Sequence, residues 1–368
     1  MINYLYINNY KSFVNFRIDF DEKSLLIGTN GAGKTSILTV AFNLRTFILG
    51  NGAMVGGLFM PNSTTRWMES DIQTFEIGIT EGGEEYTYRL EVKHTAQEII
   101  QSKVLSEKLS INGEDLLIVR EGRGKIQNSS GVKEFFVDQT LSAIVTASYA
   151  ENEKKIQGFL NAISKVIFCM PNPRLMADRV ENDTYWPTAD FSNFSSVYLG
   201  LSMIYPDVLE HVRDAMKLIN PAFIRARINP EPFGKMFYLD YMYNGVTVPL
   251  RFSELSDGER MIFAMYTMLY GYVSNGCTLL LDEPDNYLST REIQPWCMAL
   301  EEELENNGQC ILISHNPEMI DYMADSDGIW LSRLASGESV VVNNPYEEAV
   351  KNNLLPYSKL IARGLVEE

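Results

Sequence analysis

Residues Gly28 to Thr35 read GTNGAGKT and meet the pattern G-x-x-x-x-G-K-[ST] at each fixed position: Gly28, Gly33, Lys34 and Thr35. Backbone N–H groups freed by glycine can turn inward at a helix N-terminus and cradle phosphates. In that chemistry Lys34 reaches the β- and γ-phosphates and the Thr35 hydroxyl binds Mg²⁺. The flanks agree. Ser24-Leu25-Leu26-Ile27 is an apolar strand candidate before the loop, and Ser36 to Phe42 reads as the start of a buried helix after it. An ordinary glycine-rich turn is the plainer alternative.

Three further stretches bear on phosphate chemistry. Thr278-Leu279-Leu280-Leu281-Asp282-Glu283-Pro284 is an apolar strand ending in two acids. Beside a phosphate loop, Asp282 would hold Mg²⁺ through water and Glu283 would polarise the attacking water. The alternative is a buried strand that simply ends at solvent. Leu255-Ser256-Asp257-Gly258-Glu259 lies 26 residues before Asp282, counting from Ser256. Ser256 with Glu259 three residues on is a plain capping box, and locally that suffices. The functional reading adds an anion site, built from a serine hydroxyl, the Gly258 backbone and a helix dipole, for a γ-phosphate presented by another subunit. Ser314-His315-Asn316-Pro317 follows an apolar strand, and His315 stands 33 residues after Asp282. A donor to the γ-phosphate belongs there, although a lone histidine is ordinarily a satisfied surface or core residue.

The elements that must position these residues follow from periodicity. Residues 2–20 read as two strands around the turn Asn8 to Ser12. Residues 50–66 read as a surface loop. Residues 74–80, 85–93 and 104–111 read as a meander, and 121–131 as a mobile loop. Residues 133–164 carry helical spacing, with Phe135, Phe136, Leu141, Ile144, Val145, Ile156, Phe159, Leu160 and Ile163 as its apolar positions. Strand 166–170 is halted by Pro171-Asn172-Pro173-Arg174, and 175–193 is irregular. Helix 194–219 breaks near Pro206. Strands 223–229, 236–243 and 246–252 follow, then helix 258–274 and strand 277–282. The rest reads as helix 290–306, strand 309–313, helix 317–324, strands 328–332 and 338–343, and a polar end with weak helical character. There is no internal repeat and no sustained heptad.

Composition bounds the class. The chain has 368 residues, 45% of them hydrophobic and 21% charged, which is ordinary for a globular protein of one large domain or two lobes. No run approaches a membrane span and no signal-peptide pattern opens the chain, so a cytoplasmic protein without membrane contact is expected. Cys169, Cys277, Cys297 and Cys310 lack metal-ligand spacing and are expected to be reduced. The net charge is −17. Residues 251–368 hold 7 Lys+Arg against 20 Asp+Glu, and residues 1–250 hold 24 against 28. Phosphate repulsion therefore argues against a general nucleic-acid binder. Only dispersed cations remain for a local groove: Arg120, Arg123, Lys125, Lys133, Lys154, Lys155 and Lys165.

The series GTNGAGKT, LSDGE, LLLDEP and SHNP, in that order, resembles the ABC-type ATPase head, and most of all the RecF/SMC-like branch of soluble AAA-family ATPases. Asn8 to Phe13 resembles that branch too. The specific motifs cover residues 1–45 and about 250–335. The resemblance implies an α/β P-loop NTPase fold with a mixed central sheet, an antiparallel β lobe and an inserted helical lobe. It places the Walker A loop, which binds nucleotide, at Gly28, Asn30, Gly31, Ala32, Gly33, Lys34, Thr35 and Ser36. It makes Ser256, Gly258 and Glu259 part of the signature, Asp282 the Walker B acid and Glu283 the catalytic base. Asp285 and Asn286 fall in the dimer-contacting D-loop, and His315 is the switch histidine. ATP and Mg²⁺ are the implied cofactors. Family members sandwich two ATP molecules between head-to-tail subunits, so a homodimer or higher homo-oligomer is implied.

There are departures. Asp257 and Glu259 stand where transporters have Gly and Gln, and acids there should weaken anion binding. No glutamine occupies the Q-loop position; Asn172 or Arg174 is the candidate substitute, with a structural proline turn as the alternative. The expected division is an N-terminal ATPase lobe over 1–174 with a helical insertion at 133–164, an insertion lobe over 175–253, a C-terminal ATPase lobe over 254–343 and a tail over 344–368. The middle is too short for long coiled-coil arms and the tail for a nuclease domain. The expected role is thus an ATP-driven switch that controls a separate effector protein, in bacterial anti-phage defence. The alternatives are a RecF-type ATPase of DNA repair or DNA ends, for which nucleic acid would be the partner, and a transporter's ATPase subunit.

Overall fold

The computed structural model describes residues 1–50, 54–95, 101–128, 131–151, 154–232, 234–305, 308–347, 350 and 355–363. The chain forms two compact units that interleave in sequence. The first holds residues 1–21, 28–166 and 329–343; the second holds 22–27, 167–328 and 344–368. The expected lobes were consecutive stretches. The units differ because strand β3 (Lys23–Gly28) pairs in parallel with β16 (Gln309–Ile313), almost three hundred residues on.

The first unit is built on an eight-stranded antiparallel sheet. Its strands are β1 (Ile2–Asn8), β2 (Phe16–Asp19), β4 (Ile72–Glu81), β5 (Glu84–Thr95), β6 (Gln101–Ile111), β7 (Glu114–Arg120), β8 (Arg123–Asn128) and β9 (Gly131–Phe136), in the order β2-β1-β4-β5-β6-β7-β8-β9. Alternation puts Leu5, Ile7, Phe75, Ile77, Tyr88 and Leu90 on the buried face. Among the described residues this unit holds the helices α1 (Lys34–Leu49), α3 (Ala143–Glu151) and α4 (Lys154–Ser164); a single turn, α2 (Val55–Leu58), fills part of the expected 50–66 loop. Ile156, Phe159 and Ile163 recur at helical spacing on α4 and are fully buried, with the Phe159 ring stacked 5.8 Å from Tyr88. The α3 N-terminus is closed by the buried Glu107 carboxylate, which accepts from Ala143 N and Ser142 Oγ (both 2.7 Å) and from Tyr88 Oη at 2.9 Å.

The sequence reading of 121–164 needs correction. Residues 123–128 and 131–136 pair as a hairpin, and helix begins only at Ala143. Glu121 and Gly122 both take positive φ (46° and 77°), which makes the two-residue turn from β7 to β8. Gly124 faces Phe135, whose ring occupies the space a Cβ would need, at 2.3 Å. Phe135 and Phe136 alternate across a strand; their spacing to Leu141 only imitates a helix.

In the second unit β10 (Val166–Cys169), β15 (Thr278–Asp282), β16 and β3 lie side by side, with β15, β16 and β3 parallel. Each residue of β15 and β16 is buried, as strands covered on both faces require. Helix α7 (Asp257–Tyr272) is apolar nearly all round and lies against α5 (Phe194–Ile204), α6 (Asp207–Ile219), α8 (Thr290–Leu304) and β15; α9 (Pro317–Asp327) packs on α8. A smaller antiparallel sheet carries β11 (Arg179–Val180), β12 (Phe223–Glu231), β13 (Gly234–Tyr243) and β14 (Val246–Arg251). Its inner face meets α5 and α7 through Phe194, Phe237, Phe252 and Phe263, ring centroids 4.8–6.0 Å apart. Strands β17 (Gly328–Arg333) and β18 (Ser339–Val342) pair antiparallel; from Ile329 on they belong to the first unit, where Ser339 N donates to Ser12 O. Among the described residues of the polar end, Tyr357–Arg363 is helical. All four cysteines are buried and free, and burial pushes the Cys297 thiol up to about 12. Among the described residues no helix is long and apolar enough to cross a membrane.

Phe194 is fully buried at the centre of that aromatic cluster. Phe194→Ala should destabilise the second unit by about 3–5 kcal/mol through lost burial and an unfilled cavity. Differential scanning calorimetry reads this as a lowered transition; an unchanged thermogram would contradict the packing described.

Candidate functional site

In the first unit the loop GTNGAGKT runs directly into α1. Gly33 is the N-cap of this 16-residue helix, which has no side-chain cap and no acid in its first turn. Such an N-terminus suits an anion. Gly33 takes φ 99°, and a Cβ there would lie 2.5 Å from Phe13 Cζ. The fully buried Phe13 ring is therefore the floor on which the loop rests. Gly28 approaches Leu331 O of β17 just as closely, at 2.3 Å from where its Cβ would be. Asn30, Gly31 and Thr35 are exposed, while Ala32 is buried and donates to Thr29 O at 3.1 Å. The Lys34 ammonium folds back and donates to Gly28 O (2.8 Å) and Thr29 O (3.3 Å).

Two more cations, neither of them assigned a role by the motifs, border the loop. Lys11 Nζ donates to Ser36 Oγ at 2.9 Å, and partial burial lowers its pKa. Arg333 Nη1 lies 3.8 Å from where a Gly31 Cβ would stand. The signal for Lys11 was its place in the turn before Phe13; Arg333 carried none, being some three hundred residues from Gly31. The turn itself is fixed by Asn9, whose amide donates to Ser70 O and Ile72 O and accepts from Thr65 N. Gln73 joins this knot by donating to Asn9 O, and His94 Nε2 lies 2.9 Å from Gln73 Oε1. Burial holds the His94 pKa below its usual value, against the pull of Asp71.

In the second unit the register sets Asp282 beside Ile313 and Ile313 beside Leu26. The residues that leave these strand ends are Glu283, Ser314-His315 and, after Ile27, the phosphate loop. Asp282 is 4% exposed. Glu283 follows in the left-handed region (φ 50°), a conformation that costs a non-glycine residue on the order of 1 kcal/mol. Its N–H donates to Ile313 O at 3.0 Å, Asn286 Nδ2 donates to its Oε2 at 2.8 Å, and His315 Nε2 lies 3.4 Å from its Oε1. Asp285 turns inward and accepts from Ser314 Oγ; burial raises its pKa despite that bond. Glu283, Asn286 and His315 are thus brought together, with Asp285 and Ser314 beneath them.

The signature stretch adopts the capping box. Ser256 Oγ accepts from Glu259 N (3.2 Å) and donates to Glu259 Oε2 (2.8 Å), and Ser256 N donates to the same oxygen (3.1 Å). Gly258 sits against Tyr287 O of the D-loop, 3.0 Å from where a Cβ would be. Asp257 is not a bare acid. Arg174 Nε donates to its Oδ2 at 2.8 Å and Arg260 Nη2 to its Oδ1 at 2.6 Å, and the Arg174 guanidinium foremost holds its pKa down. Asn172 accepts from Arg174 N, and Arg260 donates to Pro173 O, so the proline turn is tied to the start of α7. The repulsion expected from Asp257 is largely cancelled within the chain.

Oxygen donors suited to Mg²⁺ occur in each unit. Among the described residues no three His, Cys, Asp or Glu side chains cluster as a metal cage. Thr35 offers a hydroxyl in the first unit and Asp282 a carboxylate in the second, donor types that Mg²⁺ takes together with water and phosphate oxygens.

Comparison with known proteins bears on the fold and on the motif-bearing stretches. A family model described as an AAA ATPase domain matches residues 1–45. A second, described as an AAA domain, putative AbiEii toxin, Type IV TA system, matches residues 174–321. No curated protein matches the chain. An SmcHead bound to the C-winged helix domain of ScpA is similar with TM-score 0.58 and 15% identity, covering 95% of this chain and 99% of that one. An Smc head domain with an extended coiled coil, bound to the C-terminal domain of ScpA derived from Pyrococcus furiosus, is similar with TM-score 0.53 and 13% identity, covering 96% and 98%. At these identities the likeness is one of fold. The two motif-bearing stretches thus match AAA ATPase domain models, and the fold is that of an SMC head, which is consistent with an ABC-type ATPase head of the RecF/SMC-like branch.

Proposed function

We propose that the chain is an ATP-hydrolysing switch that dimerises head-to-tail on ATP and controls a separate effector protein in bacterial anti-phage defence. The observation that carries the reading is the constrained Glu283, a carboxylate fixed at a strand end by its backbone and held by Asn286 and His315. A strained, over-determined carboxylate of this kind is suited to hold and accept a proton from an attacking water. His315 would orient the γ-phosphate oxygens. Lys34 would exchange the carbonyls of Gly28 and Thr29 for β- and γ-phosphate oxygens, and the loop N–H groups from Gly31 to Ser36 would cradle the chain of phosphates. Mg²⁺, when bound, spreads the charge of the transferring phosphoryl group.

Dimerisation follows from the signature. Within one copy the Glu259 carboxylate occupies the donors of Ser256. A γ-phosphate carried by a second copy would take its place on those donors, with the α7 dipole behind them. Nucleotide binding and pairing then become one event. The description of the second matching model supports the defence role, and the ScpA domains seated on similar heads support control through a separate protein. The net charge of −17 does not favour the RecF-type DNA reading.

Lys34→Ala should abolish ATP binding or turnover, read by nucleotide binding and phosphate release. Glu283→Gln should still bind ATP, lose turnover by about a hundredfold or more, and accumulate as a dimer in size-exclusion chromatography. Hydrolysis at the parental rate in that variant would remove Glu283 from its role. Any binding to DNA should show a slope near zero in log affinity against log salt; a steep negative slope would favour the RecF-type reading.

A further inference from the structure

The small sheet β11–β14 has an inner face of buried aromatics and an outer face of a different character. Along β13, Phe237, Leu239 and Tyr241 point inward, whereas Met236, Tyr238, Asp240 and Met242 alternate outward. Register places Arg225 opposite Asp240, Arg227 and Arg251 opposite Tyr238, and Arg179 opposite Met236. Four arginines thus gather on one sheet face. Residues 223–251 hold four Lys+Arg against two Asp+Glu in a chain whose balance is −17.

The arrangement is built rather than scattered. Asp240 is 1% exposed, and both Arg225 Nε (3.0 Å) and Arg227 Nε (2.8 Å) donate to its Oδ2. One buried carboxylate therefore fixes two guanidinium groups through their Nε atoms, with the Arg225 side chain 64% exposed and that of Arg227 26% exposed. Arg227 also lies over the Tyr238 ring, 5.2 Å from its centroid. Arg251 is held by Glu231 and by Tyr238 Oη, each at 3.4 Å. Guanidinium forks held in this way match carboxylates two bonds at a time and lose little entropy on binding. The end of the same sheet carries an exposed apolar rim: Met242, on the arginine side, is 45% exposed, and the cross-strand pair Tyr243 and Val246, on the other side, are 46% and 61% exposed.

We propose that this face docks an acidic, partly apolar segment of a protein partner. Arginine, tyrosine and methionine are the residue types enriched where proteins meet. The exposed apolar rim would receive aliphatic or aromatic side chains, and the forks would receive Asp and Glu. A nucleic acid would use the arginines but not the rim, and would meet repulsion from the acidic chain around it. The proposal gives the effector of the preceding section a surface chemistry and rests on that reading only for its purpose; peptide binding does not depend on turnover.

The test uses fluorescence anisotropy on the full chain, with a labelled short peptide alternating Asp or Glu with Leu or Phe. Controls are the same peptide with Asn and Gln for its acids, and labelled single-stranded and duplex DNA. The acidic peptide should bind, and binding should fall at least about tenfold in Arg179→Glu/Arg251→Glu, which leaves the Asp240 pairing intact. Arg225→Gln/Arg227→Gln/Asp240→Asn should lose the same binding with a circular-dichroism melt like that of the parent. Both variants should keep the parental ATPase rate. No binding of the acidic peptide, equal binding of the neutral one, or binding indifferent to both variants would overturn the proposal. So would tighter DNA binding lost in the same variants, or a change of oligomer on substitution, which would make the face a contact between copies. An inert ATPase with normal peptide binding would instead sink the switch reading alone.

Discussion

The alignment of three buried parallel strands is the constraint on which the rest depends. Asp282, Ile313 and Leu26 stand level across β15, β16 and β3, and the chemistry-bearing residues follow each strand end. A slip of one residue in any pairing would turn its buried side chains to the opposite face, against neighbours whose shapes they do not fit, and close packing on both faces disfavours it. The backbone bond from Glu283 N to Ile313 O ties one strand end to the next and holds Glu283 in its left-handed conformation. The strain stored there is small beside the burial of β15 and β16.

The phosphate loop depends on a second anchor, of a different kind. It follows β3 covalently, but what fixes its shape is contact: Gly33 on the Phe13 ring and Gly28 on the Leu331 carbonyl. Phe13 is in turn held by a turn locked through Asn9, Gln73 and His94. A buried polar knot of this sort is stabilising only when each member is satisfied, and it carries that demand into the nucleotide loop. The same logic recurs at Asp240, where one buried carboxylate fixes two arginines.

Much of this was legible in the sequence, for local reasons. The phosphate loop, the strand ending in Asp282 and Glu283, and the break at Pro206 are all announced by residues within a few positions of one another. The strands β15 and β16 are continuous apolar runs that need no partner to be recognised. What escaped was non-local or ambiguous. Phe135 and Phe136 imitate a helix because the cavity left by Gly124 is visible only once the hairpin is paired. Arg174 and Asp257 are 83 residues apart, so their ion pair, which cancels the acid of the signature, has no sequence trace. Asp285 lies in a recognised motif, yet its burial under Ser314 follows only from the fold. At Ser256 the residues support both a cap and an anion site. A single copy shows the cap, because Glu259 is the nearest anion.

The central claim is that a working site takes its phosphate loop from one copy and its signature from another. Mixing two inactive variants tests it most directly: Lys34→Ala, which lacks a loop, and Ser256→Arg, which lacks a signature. Half of randomly formed pairs would be mixed, each with one intact site of two, so the account predicts that ATP turnover returns to about a quarter of the parental rate. A mixture as inactive as its components would contradict it.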